Sequence, residues 1–254
     1  MAVAGVAGGQ QQIYVYDLER GTTEQLTRDG QNFEPEWHPD GSRLAFTSQL
    51  EGHFDVRWAP ADGTDVPETL HATPADENRW RWAPDGASAV VQIWSPVSGT
   101  DFWQVRGASG EASPLLASPL SETDLAFSPD GKWLAYVSGG ALYVAPYPAL
   151  GQRVLIAPVA GTPRFSPSGA ELFFVEEGRL KVVACEVRAG AFHAGAAQTL
   201  FELGRLSATF DVGPDGRRFL FLATPSDQPS RDVIRVVLNG LDVLRAEAAA
   251  EPGR

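Results

Sequence analysis

Asn32, Glu34, Asp76, Glu77, Asn78, Arg79, Glu122 and Asp124 are the residues whose types and spacing could do chemistry in this chain. Acids and amides recur at one point of successive segments, with Asp29 beside the first group. A mixed, mainly acidic set converging on one rim would make a surface for a protein or peptide partner. The plain alternative is solvated loop charge.

Other chemistries find less support. The four histidines, His38, His53, His71 and His193, share no His-x3-His or HExxH spacing, so no zinc site is signalled. Polar turn and loop positions are the expected setting for them. No G-x-S-x-G elbow occurs; the nearest string, Gly107-Ala108-Ser109-Gly110, lacks the second glycine where the elbow needs it. Walker A, dinucleotide and kinase-loop patterns do not occur. Asp62-Gly63-Thr64-Asp65 lacks calcium-loop spacing and reads as a turn. We expect no catalytic residue, no metal site and no cofactor, and so no enzyme. Of the seven tryptophans, Trp37, Trp82 and Trp133 fall on strands as core, whereas Trp80 and Trp94 lie nearer strand ends, where partial exposure would let them stack on a ligand.

Composition bounds the partners. The chain has 254 residues, 43% hydrophobic and 20% charged, with a formal net charge of -12. That charge argues against nucleic acid, whose binding draws on cationic neutralisation of phosphates, and equally against an anionic membrane surface. The one cysteine, Cys185, lies in the apolar run LKVVACEV and reads as a buried, inert thiol. MAVAGVAGGQQQ lacks the basic start and apolar length of a signal peptide, so residues 1–11 are expected to be disordered and no export signal is seen. No run reaches the roughly 18 to 20 apolar residues of a membrane span, so no membrane insertion is expected. The chain is expected to be a monomer.

The elements that must position these side chains repeat. EPEWHPDGSRLAFTS, RWRWAPDGASAVVQI, DLAFSPDGKWLAYVS, TPRFSPSGAELFFVE and TFDVGPDGRRFLFLA carry Pro39, Pro84, Pro129, Pro167 and Pro214 at steps of 45, 45, 38 and 47 residues. Such a period signals an array of similar small sheets. Proline presets φ for the turn, aspartate suits the next position and glycine accepts the positive φ that closes a bulged hairpin. Phe46, Val91, Tyr136, Phe174 and Phe221 stand seven residues after each proline, and Ala45, Val90, Ala135, Phe173 and Leu220 stand six after it. A strand apolar on both faces is covered on both.

A third strand follows each hairpin (HFDVRWAP, TDFWQVRG, ALYVAPYP, RLKVVACEV, DVIRVVLN), and a short fourth follows four of them (ETLHA, SPLLA, RVLIA, QTLFEL). The fold class is therefore all-β, a β-propeller of four-stranded antiparallel blades. QQIYVYDLERGTTEQLT matches the third and fourth strands of a blade whose first two are absent. The count gives six ring positions with an incomplete first blade; a five-bladed closed ring is the alternative. One propeller domain is expected over residues 12–240, with a short helix and tail over 241–254. The missing hairpin suggests a chain cut from a longer parent, or a gene that lost its first hairpin.

PEWHPDGSRLAFTS and LAFSPDGKWLAYVS resemble the TolB-type, or WD40-like, propeller repeat almost position by position. His38 replaces the usual serine before the proline, and the Gly-His and Trp-Asp pairs of WD40 repeats proper are missing. The longer pattern from IYVYDLERGTTEQLT to FDVGPDGRRFLFLA and VVLN resembles the propeller that follows the kinase domain in some bacterial eukaryotic-like serine/threonine kinases. The resemblance implies a noncatalytic binding or sensing module for a protein or peptide, within a larger signalling or cell-envelope protein, and a periplasmic or extracytoplasmic setting. The competing expectation is the accessory propeller of a prolyl-oligopeptidase-like peptidase whose catalytic domain lies elsewhere. In a propeller the Pro-Asp-Gly turns lie on one face. The loops QNFEPE, PADENR, LSETD, VAGTP and LGRLSA lie on the other, which is why the eight polar residues are expected around one channel mouth.

Overall fold

The computed structural model describes residues 1–50, 52–107 and 110–223. Every regular element among them is a β-strand. The chain divides into two compact units, residues 1–123 and 124–254.

The first unit begins with a three-stranded sheet of β1 (Ala2–Ala7), β2 (Gln10–Asp17) and β3 (Thr22–Gln25). The second sheet holds β4 (Gln31–Trp37), β5 (Arg43–Gln49), β6 (Phe54–Pro60) and β7 (Glu68–His71) in that spatial order. The third holds β8 (Glu77–Trp82), β9 (Ser88–Ser95), β10 (Gly99–Arg106) and β11 (Ala112–Leu116). In the second unit lies the sheet of β12 (Glu122–Phe127, whose first two residues still belong to the first unit), β13 (Trp133–Ser138), β14 (Ala141–Pro146) and β15 (Val154–Ala157). It is followed by β16 (Gly161–Phe165), β17 (Glu171–Glu176), β18 (Arg179–Arg188), β19 (Ala191–Ala194) and β20 (Gln198–Glu202), and then by the pair β21 (Leu206–Val212) and β22 (Phe219–Ala223). The strand pairings among the described residues are antiparallel. The third strand expected at 232–239 and the helix and tail at 241–254 lie outside the described residues, as does Ser109.

The two-faced strands behave as their composition predicts. Leu44 and Phe46 of β5 pack with Ile13 and Leu26 of the first sheet, while Ala45 packs with Trp80, Trp82 and Val91 of the third. Phe174 of β17 joins Trp133, Ala135 and Val144, while Phe173 joins Phe210, Phe219 and Phe221. In β5 and β17 the residue seven after the proline thus faces the preceding sheet, and the residue six after it faces the next.

Two expectations need correction. Residues 2–7 are a strand, not a disordered segment: β1 pairs with β2 from Ala2↔Val15 to Ala7↔Gln10. Gly8 and Gly9, at φ 59° and 84°, form the two-residue turn that closes this hairpin, and Ala2 and Ala4 pack on the Ile13 cluster. β1 occupies the position of a second strand, so the first sheet lacks one expected strand, not two. The other correction is Trp80, which is only 1% exposed, whereas Trp94 is 51% exposed.

β19 was not anticipated. β18 is ten residues long; its first half pairs with β17 and β20, and Cys185–Arg188 continue outward to pair with β19. Cys185 is half-buried, and burial, with the nearby Glu171 charge, pushes its thiol up to about 12. It stays protonated at neutral pH, which agrees with an inert thiol.

The repeated turns are built alike. The glycine N–H donates to the carbonyl three residues back at Gly41, Gly86, Gly131, Gly169 and Gly216, each with positive φ. The aspartate accepts from the N–H two residues on: Asp40 from Ser42, Asp85 from Ala87, Asp130 from Lys132 and Asp215 from Arg217. Ser168 does the same for Ala170 in the copy without aspartate. His38 reaches further: its Nδ1 lies 2.9 Å from Asp40, and its ring meets the Trp82 ring edge-on at 4.7 Å. Gly86 packs so closely that an added Cβ would lie 3.0 Å from the His38 ring.

Hydrogen bonds hold three of these carboxyls below their usual range: Ser42 for Asp40, the Ser128 hydroxyl for Asp130, and the Arg217 N–H for Asp215. An unfolded-chain aspartate titrates near about 3.9. The stabilisation is therefore complete above that pH and lost as the pH falls through the lower folded values. Thermal midpoints should hold from about pH 7 to 5 and fall below about pH 4. The triple variant Asp40→Asn, Asp130→Asn, Asp215→Asn should show a shallower acid limb. An identical limb in both proteins contradicts this account of the turns.

Candidate functional site

In the first unit, the loop leading into each first strand is closed by a polar clasp. In the first sheet the Thr27 hydroxyl donates to Gln12 Oε1 at 2.6 Å and accepts from the Ile13 N–H at 2.8 Å. Asn32 donates to that same Gln12 oxygen at 3.1 Å and to the Asp29 carbonyl at 2.8 Å. At the next loop, His71 Nδ1 lies 2.9 Å from both oxygens of Glu77. At the third, the Ser118 hydroxyl donates to Glu122 at 2.6 Å. Asn32, Glu77 and Glu122 are buried, the two glutamates completely. These three recurring residues are internal struts.

Two residues further on, each first strand bulges. Glu34, Arg79, Asp124 and Thr162 take positive φ of 50°, 32°, 43° and 52°. Pairing registers shift beside three of them, between Phe33 and Glu36, Asn78 and Trp80, and Gly161 and Arg164. A left-handed non-glycine residue costs on the order of 1 kcal/mol, and here the cost recurs as a bending device. Side chains at these points link neighbouring first strands. Arg79 donates to Glu34 at 3.3 Å and Arg81 to Glu36 at 2.6 Å; in the second unit the Thr162 N–H donates to Asp124 at 3.4 Å.

The predicted set thus separates. Glu34 and Arg79 are brought together as a half-exposed ion pair. Asp76 is half-buried and accepts from the Phe54 N–H at 3.1 Å, and Asn78 is half-buried beside it. Asp124 belongs to the second unit and is half-buried there.

Sequence reasoning treated His71 as a polar loop residue. The structure gives it a built environment. Its side chain is 8% exposed and forms one wall of a cleft of about 730 Å³ in the first unit, with Leu70, Pro74, Ala75, Ile93 and Trp103. Glu77, 0% exposed, stands behind it. The carboxylate orients the imidazole, with the Nδ1–H donating to it. The available signal was position, since His71 ends its fourth strand where Thr27 and Ser118 serve their loops. A histidine–carboxylate pair is two parts of a nucleophilic triad, but no serine or cysteine lines this cleft among the described residues. The hydroxyl of Thr73 turns to the Ala75 carbonyl. Among the described residues no group of three or more histidine, cysteine, aspartate or glutamate side chains could hold a metal ion. No helix among them is long and apolar enough to cross a membrane.

No family model matches the chain. The uncharacterized peptidase YuxL of Bacillus subtilis (strain 168) is 27% identical over 160 residues, a match covering 49% of this chain and 24% of that protein. The chain therefore aligns with only about a quarter of that relative's length. Among solved structures, a putative TolB from Agrobacterium tumefaciens superposes with a TM-score of 0.66 at 18% identity, covering 90% of this chain and 80% of that one. The Cps50 (Swd1) β-propeller domain of Myceliophteria thermophila gives 0.62 at 13% identity, covering 87% and 76%. Structures similar in fold also include an oligogalacturonate lyase in complex with manganese, with a TM-score of 0.57 at 15% identity over 88% of this chain and 82% of that one. At these identities the likeness is one of fold, and the fold is that of TolB-like and WD40 β-propellers.

The clasps carry a stability prediction. Glu77→Leu and Glu122→Leu should each lower unfolding stability by about 2 kcal/mol, as expected for a hydrogen-bonded buried carboxylate. Glu34→Ala, in a solvent-screened pair, should cost less than about 1 kcal/mol. Denaturant midpoints check both, and equal effects at Glu34 and Glu77 would contradict the division into struts and surface.

Proposed function

We propose that this chain is a noncatalytic propeller module that binds a protein or peptide, within a larger signalling or cell-envelope protein. The observation that carries the reading is what the candidate acids do. Glu77 holds His71, Glu122 holds Ser118, Glu34 pairs with Arg79, and Asp124 receives the Thr162 N–H. Each is engaged in building sheets. Glu34, Asp76, Asn78 and Arg79 form the partner surface in the first unit, with Asn32 and Glu77 as supports beneath. Glu122 and Asp124 play the support and surface parts at the following repeat. Six blades with an incomplete first, against a closed ring of five, belong to the same proposal. So do a monomeric state, the sensor role implied by the kinase-associated resemblance, and an extracytoplasmic setting.

A second reading draws on one observation, the match to part of a peptidase. In it the chain corresponds to an accessory propeller that serves a catalytic domain elsewhere.

Selection of a displayed peptide library on the whole chain, followed by calorimetry of the enriched peptides, tests the first reading. Enriched peptides should bind saturably and be recovered intact by mass spectrometry. Glu34→Lys with Asn78→Lys, in protein shown by its thermal midpoint to be folded, should weaken binding about tenfold, the scale of a like-charge contact in an interface. Cleaved peptides, or no enrichment, would overturn it.

A further inference from the structure

The cleft beside His71 is not used by the clasp that builds it. Its lining is mostly apolar, and its charged groups are all negative: Glu111 lines it, Glu77 lies behind the imidazole, and no lysine or arginine is among the lining residues. Trp103 is half-buried on this wall, packed at its base against the cluster of Trp80, Trp82 and Ile93. Elsewhere in the molecule, half-buried aromatic rings on third strands carry a guanidinium. Arg43 stands 4.1 Å over Trp58, and Arg153 stands 4.0 Å over Tyr143. No cation stands over Trp103 among the described residues. The chain thus shows twice, with its own arginines, the contact that this third ring can offer.

We propose that this cleft binds an arginine side chain presented by an extended peptide of the partner. The inference rests on the peptide-binding reading above and assigns it a pocket. Two features of the wall select a guanidinium. The Trp103 ring offers a face for a planar cation. The Glu111 carboxylate at the edge supplies the opposite charge. The volume of about 730 Å³ exceeds what one side chain fills and leaves room for flanking residues of the peptide. The net charge of -12 favours approach of a basic segment.

The test follows the indole N–H signal of Trp103 by NMR, assigned through its loss in Trp103→Leu. The intact chain is titrated with the peptide Ac-Ala-Arg-Ala-NH2. Two matched peptides replace arginine by citrulline, which keeps shape and loses charge, or by glutamate. The arginine peptide should shift the Trp103 signal saturably, and the citrulline peptide should bind at least about fivefold more weakly, the factor a cation over an indole supplies. The glutamate peptide should leave the signal unmoved. Glu111→Lys, an exposed change that leaves the clasp intact, should weaken the arginine peptide by a similar factor.

A Trp103 signal that stays fixed with the arginine peptide, moves equally with citrulline, or responds undiminished in Glu111→Lys overturns the proposal. If library-selected peptides bind and Glu34→Lys abolishes their binding while the Trp103 signal never moves, the pocket assignment fails and the binding-module reading stands. If no peptide of either kind binds, both fail.

Discussion

Burial of two apolar faces per sheet is the constraint on which the rest depends. From β5, Leu44 and Phe46 point to one neighbour and Ala45 to the other. β17 does the same with Phe174 and Phe173. A sheet with this composition on both sides is unstable by itself, because each exposed face would forfeit roughly 25 cal/mol per Å² of apolar surface. Stacking successive sheets within each unit removes that cost.

Packing of flat faces does not fix how far one sheet slides over the next. The clasps and bulges supply that register. Thr27, His71 and Ser118 hold Gln12 and Asn32, Glu77 and Glu122 at the crossing from one sheet to the next. The left-handed residues two positions on bend the first strands and aim Glu34 and Arg79 at each other. At the opposite ends of these strands, His38 and Gly86 fit the Pro-Asp-Gly turns together. The polar residues that recur most regularly are therefore those most fully committed to structure. The proposed binding falls to the half-exposed bulge side chains and the cleft wall of Trp103.

The repeating parts were the legible ones. Proline, aspartate and glycine announce the turn, and paired apolar offsets announce a strand covered on both faces. β1 escaped because Ala2, Val3 and Ala4 are small and few, and its one strong signal was the Gly8-Gly9 hairpin turn. β19 escaped because RAGAFHAG has no counterpart in the other repeats. The recurrence of Asn32, Glu77 and Glu122 was visible, but a sequence shows that an acid recurs and not which way it points. Their burial follows from partners supplied by residues of no distinctive pattern, a threonine, a histidine and a serine. His71 was hidden for the same reason: its significance lies in the carboxylate that orients it and in the cleft it borders.

The central claim is that the recurring acids act as struts between fourth and first strands. The most direct measurement is a double-mutant cycle between His71→Ala and Glu77→Ala, read as unfolding free energies of the four proteins. The account predicts a coupling of about 2 kcal/mol, with either single variant costing nearly as much as the pair. Additive effects, with a coupling indistinguishable from zero, would contradict it.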